Sequence, residues 1–111
     1  MDNDYVGYAS ERVMAALSAL ATHPGRIQER LGLAVRELSV LQMDRLPDSI
    51  RGILLNIYDT CTKPKSGENS PGARAKGTIV AACDELNDAE ASQIATLIFR
   101  TYDDIEGLMR G

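Results

Sequence analysis

The sequence predicts an all-α protein: a single small bundle of four to five helices with one long loop rich in Pro, Gly and Ser. Apolar residues recur every three or four positions through most of the chain, and the β-branched residues share that spacing instead of alternating as in a strand. The chain has 111 residues, of which 44% are hydrophobic, so it can form one core but not two independent domains. We therefore expect one helical domain over residues 1–111.

The first helix is predicted from about Asp4 to Thr22, with Asn3 or Asp2 as its cap. The segment His23-Pro24-Gly25 ends it, because a proline disfavours helical geometry at the residue before it and glycine permits a tight turn. The buried stripe has helical spacing: Val6, Ala9, Val13, Leu17 and Leu20.

Two further helices follow. The second is predicted from Arg26, with one buried seam made of Ile27, Leu31, Ala34, Leu38 and Leu41. The third is expected to begin at Pro47, because proline is tolerated at the first helical position, where no amide hydrogen is needed. Its predicted inward residues are Ile50, Ile53, Leu54, Ile57, Tyr58 and Cys61, with Leu55 as a second contact.

A mobile loop is predicted at about residues 62–74, where prolines and glycines occur without a large apolar residue. A short helix is expected after it, on the pattern of Ile79, Val80, Cys83 and Leu86. The last helix begins after Asn87, because a cap at Asn87 and a glutamate at Glu90 can each satisfy an orphan amide. Its seam contains Ala91, Ile94, Ile98, Tyr102, Ile105 and Leu108.

No catalytic, cofactor-binding or metal-ligating residue is predicted, and the chain is not expected to be an enzyme. The glycine spacing of Gly72–Thr78 is that of a phosphate-binding loop, but the lysine required before the hydroxyl residue is missing. Cys61 and Cys83 lack CxxC or Cys/His spacing, so two reduced core thiols are favoured over a disulfide or a metal site. The lone His23 at a helix end has no partner that the sequence identifies.

Cytoplasmic localisation without membrane contact is expected. No apolar run reaches the roughly 18–20 residues that span a bilayer. The first four residues, Met-Asp-Asn-Asp, are acidic, whereas a secretion signal begins with positive charge.

The charge distribution indicates a protein partner. Residues 62–78 contain four basic residues and one acidic residue, a net charge of +3, which leaves −7 on the rest of a chain whose total is −4. Complementary potentials of this kind select partners and speed association. The candidate partner-binding residues are Lys63, Lys65, Arg74 and Lys76 in this segment, with Asp103 and Asp104 on the acidic last helix. The alternative is a dimeric module that contacts nucleic-acid phosphates through the basic segment, although no aromatic residue lies among its basic ones to stack on bases.

The chain also has more apolar residues than the predicted seams use, namely Leu33, Val35, Val40, Leu55, Leu97 and Phe99. They indicate either a second contact surface, which a homodimer would cover, or wide seams in a bundle whose central helices touch several neighbours.

Three turn segments occur in order: Pro24-Gly25-Arg26 before Ile27-Gln-Glu-Arg-Leu31, then Leu46-Pro47-Asp48-Ser-Ile-Arg51, then Leu86-Asn-Asp-Ala-Glu90-Ala before Tyr102. In this order the chain resembles a family of short, uncharacterised helical bacterial proteins over residues 20–106. The resemblance implies a helical fold and a bacterial or mobile-element origin, and it implies no activity for any residue. Together these observations predict a non-enzymatic interaction module, an accessory subunit or inhibitor, in a setting such as bacterial defence or phage counter-defence.

Overall fold

A computed structural model of the chain describes residues 3–111, except for the side chains of Asn3 and Ala75. These residues form six α-helices and one 3-10 turn, Met43–Arg45, and contain no strand. The helices are α1 Asn3–Thr22, α2 Ile27–Leu38, α3 Asp48–Cys61, α4 Pro71–Lys76, α5 Thr78–Asp84 and α6 Asp88–Arg110. The all-α prediction is confirmed, and no helix in the described part of the chain is long and apolar enough to cross a bilayer.

The predicted count of four to five helices and the predicted loop over 62–74 need correction. Within that range, residues 62–70 lack a helix, and α4 begins at Pro71 and takes up the last four residues of the expected loop. Its start is local: Ser70 is the N-cap, its hydroxyl oxygen accepts a hydrogen bond from the Ala73 amide at 3.2 Å, and Pro71 follows in the first turn. Gly77, at a φ of +89°, then separates α4 from α5.

The predicted starts of α1, α3 and α6 agree with the structure to different degrees. Pro47 lies just outside α3 as its N-cap and not inside it, so the helix begins at Asp48. At α6 the predicted capping box is present, because the Asn87 side chain accepts from the Glu90 amide while the Glu90 carboxylate accepts from the Asn87 amide. The proposed Asn3 cap is instead the first residue of α1, and Asp2 lies outside the described residues.

The core forms where α2 packs against α1, α3, α5 and α6. Because α2 has neighbours on several sides, its buried residues extend beyond one seam and include Val35 and the small Gly32. The fully buried large apolar side chains come from five helices: Val13, Leu31, Val35, Leu38, Ile50, Leu54, Ile57, Cys61, Cys83, Ile98 and Ile105. The Tyr58 hydroxyl donates to the Leu38 carbonyl and thereby joins α3 to the end of α2.

Both cysteines are fully buried and unbridged, Cys61 at the end of α3 and Cys83 in α5. Hydrogen bonding to Cys83 and burial raise the pKa of the Cys61 thiol far above its usual range. The pair is therefore part of the packing between these two helices.

Candidate docking site

A groove between α1 and α6 has a volume of about 850 Å³. Its apolar lining comes from both helices: Met14, Leu17, Leu20 and Ala21 of α1, and Ala95, Phe99 and Tyr102 of α6. The two helices run antiparallel, since residues near 20 face residues near 96 while the Ser10 hydroxyl donates to Glu106 at 3.3 Å farther along. The floor is thus fixed by the two longest helices of the fold.

Phe99 and Met14 are the large hydrophobic residues of this groove that are exposed. The Phe99 side chain is 57% exposed and Met14 is 46% exposed. Phe99 follows the fully buried Ile98 by one position, a rotation of about 100° around α6, so the core that holds Ile98 turns Phe99 toward the groove. An aromatic ring and a flexible thioether beside an apolar groove are typical of docking surfaces.

The predicted apolar surplus divides into two groups. Val35 is fully buried, and Leu33 and Leu97 are partly buried, as expected of wide seams. Val40, Leu55 and Phe99 are exposed, each by about half. Of these three, only Phe99 lines the groove, so it is the one exposed residue of the predicted set that lies in a concave surface.

The groove contains two charged residues, Arg100 and Asp103, which lie three positions apart on α6. Neither forms an ion pair or hydrogen bond through its side chain with any other described residue. Asp103 is one of the predicted partner-binding residues. Asp104, the other predicted acidic residue, is exposed but does not line the groove.

The predicted basic residues lie elsewhere, and three of the four are paired with carboxylates of the same chain. The pairs are Lys63 with Asp59 at 2.6 Å, Lys65 with Glu90 at 3.3 Å, and Lys76 with Asp84 at 2.9 Å. The exposed Arg74 has no such partner among the described residues. The positive charge that we expected to meet a partner therefore mainly meets the acidic body of this chain.

These contacts hold the segment between α3 and α4 against the rest of the fold. The Ser66 amide and hydroxyl both donate to the Glu85 carboxylate, each at 2.9 Å. Glu90, the partner of Lys65, precedes Asp103 by 13 positions, which is about 20 Å along α6. The six predicted residues consequently do not form one surface.

Sequence reasoning missed most of the groove. The apolar spacing places Leu17, Leu20 and Tyr102 on inward seams, yet they are only partly buried because they line the groove between α1 and α6. Met14 and Arg100 had no signal beyond their positions next to a seam. Among the described residues, no cluster of three or more His, Cys, Asp or Glu side chains is placed to hold a metal ion.

Neither the protein-family models, nor the curated proteins, nor the solved structures contain a match to this chain.

Proposed function

We propose that this chain is a non-enzymatic protein–protein interaction module, an accessory subunit or inhibitor that docks on a protein partner through the α1/α6 groove. Bacterial defence or phage counter-defence is the proposed setting. The observation that carries the proposal is the exposure of Phe99 at the rim of an apolar groove of about 850 Å³. Burying such a ring at an interface removes apolar area from water and supplies the kind of anchor that dominates binding energy.

The charges favour a protein partner over nucleic acid. A phosphate-binding surface requires cations that are free to replace counterions. Here Lys63, Lys65 and Lys76 each lie within 3.3 Å of a carboxylate of the same chain. The nucleic-acid alternative stays a prediction, and a gel-shift assay at low salt tests it.

Site-specific photo-crosslinking tests the docking proposal. A photoreactive phenylalanine replaces Phe99 in cells that naturally produce the protein, and it replaces Leu55 in a matched control, since Leu55 is 49% exposed on α3 and outside the groove. We expect protein adducts at position 99 that are absent or several-fold weaker at position 55. Equal adduct formation at both positions, or none at position 99, contradicts the proposal.

A further inference from the structure

The two charged residues of the groove carry opposite charges. Arg100 and Asp103 contribute one positive and one negative charge, so the charges that line the groove sum to zero although the chain carries −4. A second copy approaching with the same face meets no local like-charge repulsion. A strongly charged partner would place a like charge opposite one of these two residues.

Two-fold symmetry turns this match into two ion pairs. In an isologous dimer the same patch meets itself, and two copies of α6 can then cross the axis antiparallel. If the two-fold axis crosses α6 at a height midway between Thr101 and Tyr102, positions 100 and 103 lie equally far from it along the helix. Arg100 of each copy then faces Asp103 of the other. Both residues lack an ion-pair partner within the described chain.

The outer face of α1 and α6 approaches the size of a standard dimer interface. Helix α1 has 20 residues and α6 has 23, so they are about 30 and 35 Å long. Two helices packed about 10 Å apart present a face about 20 Å wide, or about 600 Å² in projection, which side-chain relief enlarges. A standard interface buries about 800 Å² from each partner. The exposed Phe99 and Met14 would supply its apolar centre.

We propose that a second copy of this chain occupies the groove, forming a two-fold dimer in which Arg100 and Asp103 pair reciprocally. The inference rests on the proposed function, because it names the partner of the same groove. In such a dimer the segment from Lys63 to Lys76 of each copy lies outside the interface and stays available to another partner.

Charge reversal tests this pairing. The variant Arg100→Asp places two carboxylates opposite each other at both pairs, and Asp103→Arg places two cations there. Each variant alone is expected to dimerise at least tenfold more weakly than the unaltered chain, as measured by light scattering during size-exclusion chromatography. Mixing the two variants in equal amounts should restore a dimer, since every like-charge pair becomes an opposite pair. Native mass spectrometry identifies that dimer as the mixed species.

Arg36→Asp is the matched control, because Arg36 is exposed on α2 and lies outside the groove. It should leave the dimer unchanged, and circular dichroism checks that each variant keeps its helices. A monomeric unaltered chain, or a dimer insensitive to both reversals, overturns the inference. If the chain is monomeric while position 99 still crosslinks to a different protein, self-association fails and the proposed function stands. If the chain is monomeric and position 99 forms no adducts, both self-association and the proposed function are contradicted.

Discussion

Asn87 and Glu90 bond each other reciprocally at the start of α6: the Glu90 amide donates to Asn87 Oδ1 at 2.8 Å, and the Asn87 amide donates to Glu90 Oε1 at 3.0 Å. The Lys65 ammonium lies 3.3 Å from the same carboxylate. The box therefore does two things, since it caps the helix that carries Phe99 and Asp103, and it anchors the segment between α3 and α4.

Removing the cap should destabilise the fold. We expect Asn87→Ala to lower the free energy of unfolding by about 1 kcal/mol, because the Glu90 amide loses its acceptor. Denaturant titration followed by circular dichroism measures the change. Asn56→Ala is the control: Asn56 is exposed within α3, so the substitution should be neutral or slightly stabilising. Equal losses in the two variants would contradict the capping role.

Glu90 should make stability depend on pH. The hydrogen bond from the Asn87 backbone, followed by the contact with Lys65, lowers the pKa of Glu90 below its usual 4.5. A carboxyl whose pKa is lower in the folded state stabilises the fold above the unfolded value, and this contribution is lost as the pH falls through the folded value.

Glu90→Gln should therefore flatten the acid side of the stability profile below about pH 4.5. Thermal unfolding across an acid pH series checks this. Glu11→Gln, at an exposed position of α1, is the control and should leave the profile unchanged.

Gln28 is a buried polar side chain whose environment requires a neutral hydrogen-bond donor. Its Nε2 donates to the Leu86 carbonyl at 3.0 Å and to Asp88 at 2.9 Å, while its Oε1 is buried without a partner. We expect Gln28→Glu to cost about 3 kcal/mol at neutral pH, because a carboxylate oxygen would face two acceptors.

Burial beside Asp88 raises the pKa of the introduced carboxyl in the folded state, so this loss should shrink as the pH falls through that raised value and should be smallest below about pH 4, where the acid is protonated in both states and can donate. Urea unfolding at neutral and acid pH measures both values. Gln93→Glu on the exposed side of α6 is the control. A loss at Gln28 no larger than that at Gln93 would show that the buried hydrogen bonds contribute nothing.

Two adjacent leucines of α3 should differ sharply. Leu54 is fully buried, whereas Leu55 is 49% exposed. Leu54→Ala is expected to lower the free energy of unfolding by about 2–5 kcal/mol through lost burial and a residual cavity, and Leu55→Ala by less than about 1 kcal/mol. Chemical denaturation separates the two. Similar losses would mean that Leu55 is also covered, as it would be in an interface.

The two thiols should be protected in the folded protein. Cys61 and Cys83 are both fully buried, so iodoacetamide cannot reach either sulfur while the fold is intact. Iodoacetamide labelling read by mass spectrometry should modify neither cysteine until denaturant is added. A Ser92→Cys variant, at an exposed position, supplies a rapidly labelled reference. Rapid native labelling of Cys83 would show that α5 opens locally.

Helical periodicity and local capping determined much of the fold in advance. The spacing of Leu31, Ala34 and Leu38 predicts a buried seam because one helix alone sets which residues share a face, and the structure buries all three. Asn87 and Glu90 are three positions apart in one turn, so their contact is also readable from the sequence. Ser70 and Pro71 are the same kind of signal, but the surrounding glycines and prolines obscured it.

The candidate docking groove was not determinable in this way, because it depends on how two helices pack against each other. Leu17 and Tyr102 lie on correct apolar stripes, yet α1 and α6 leave them partly open to the groove. The pairing of Lys65 with Glu90 and of Lys76 with Asp84 likewise depends on where separate segments come together. The sequence by itself determined which helices form and which faces are apolar, since these follow from interactions within a few residues. Only the tertiary packing decided that Lys65 and Lys76 meet the chain's own carboxylates and that Phe99 faces a groove.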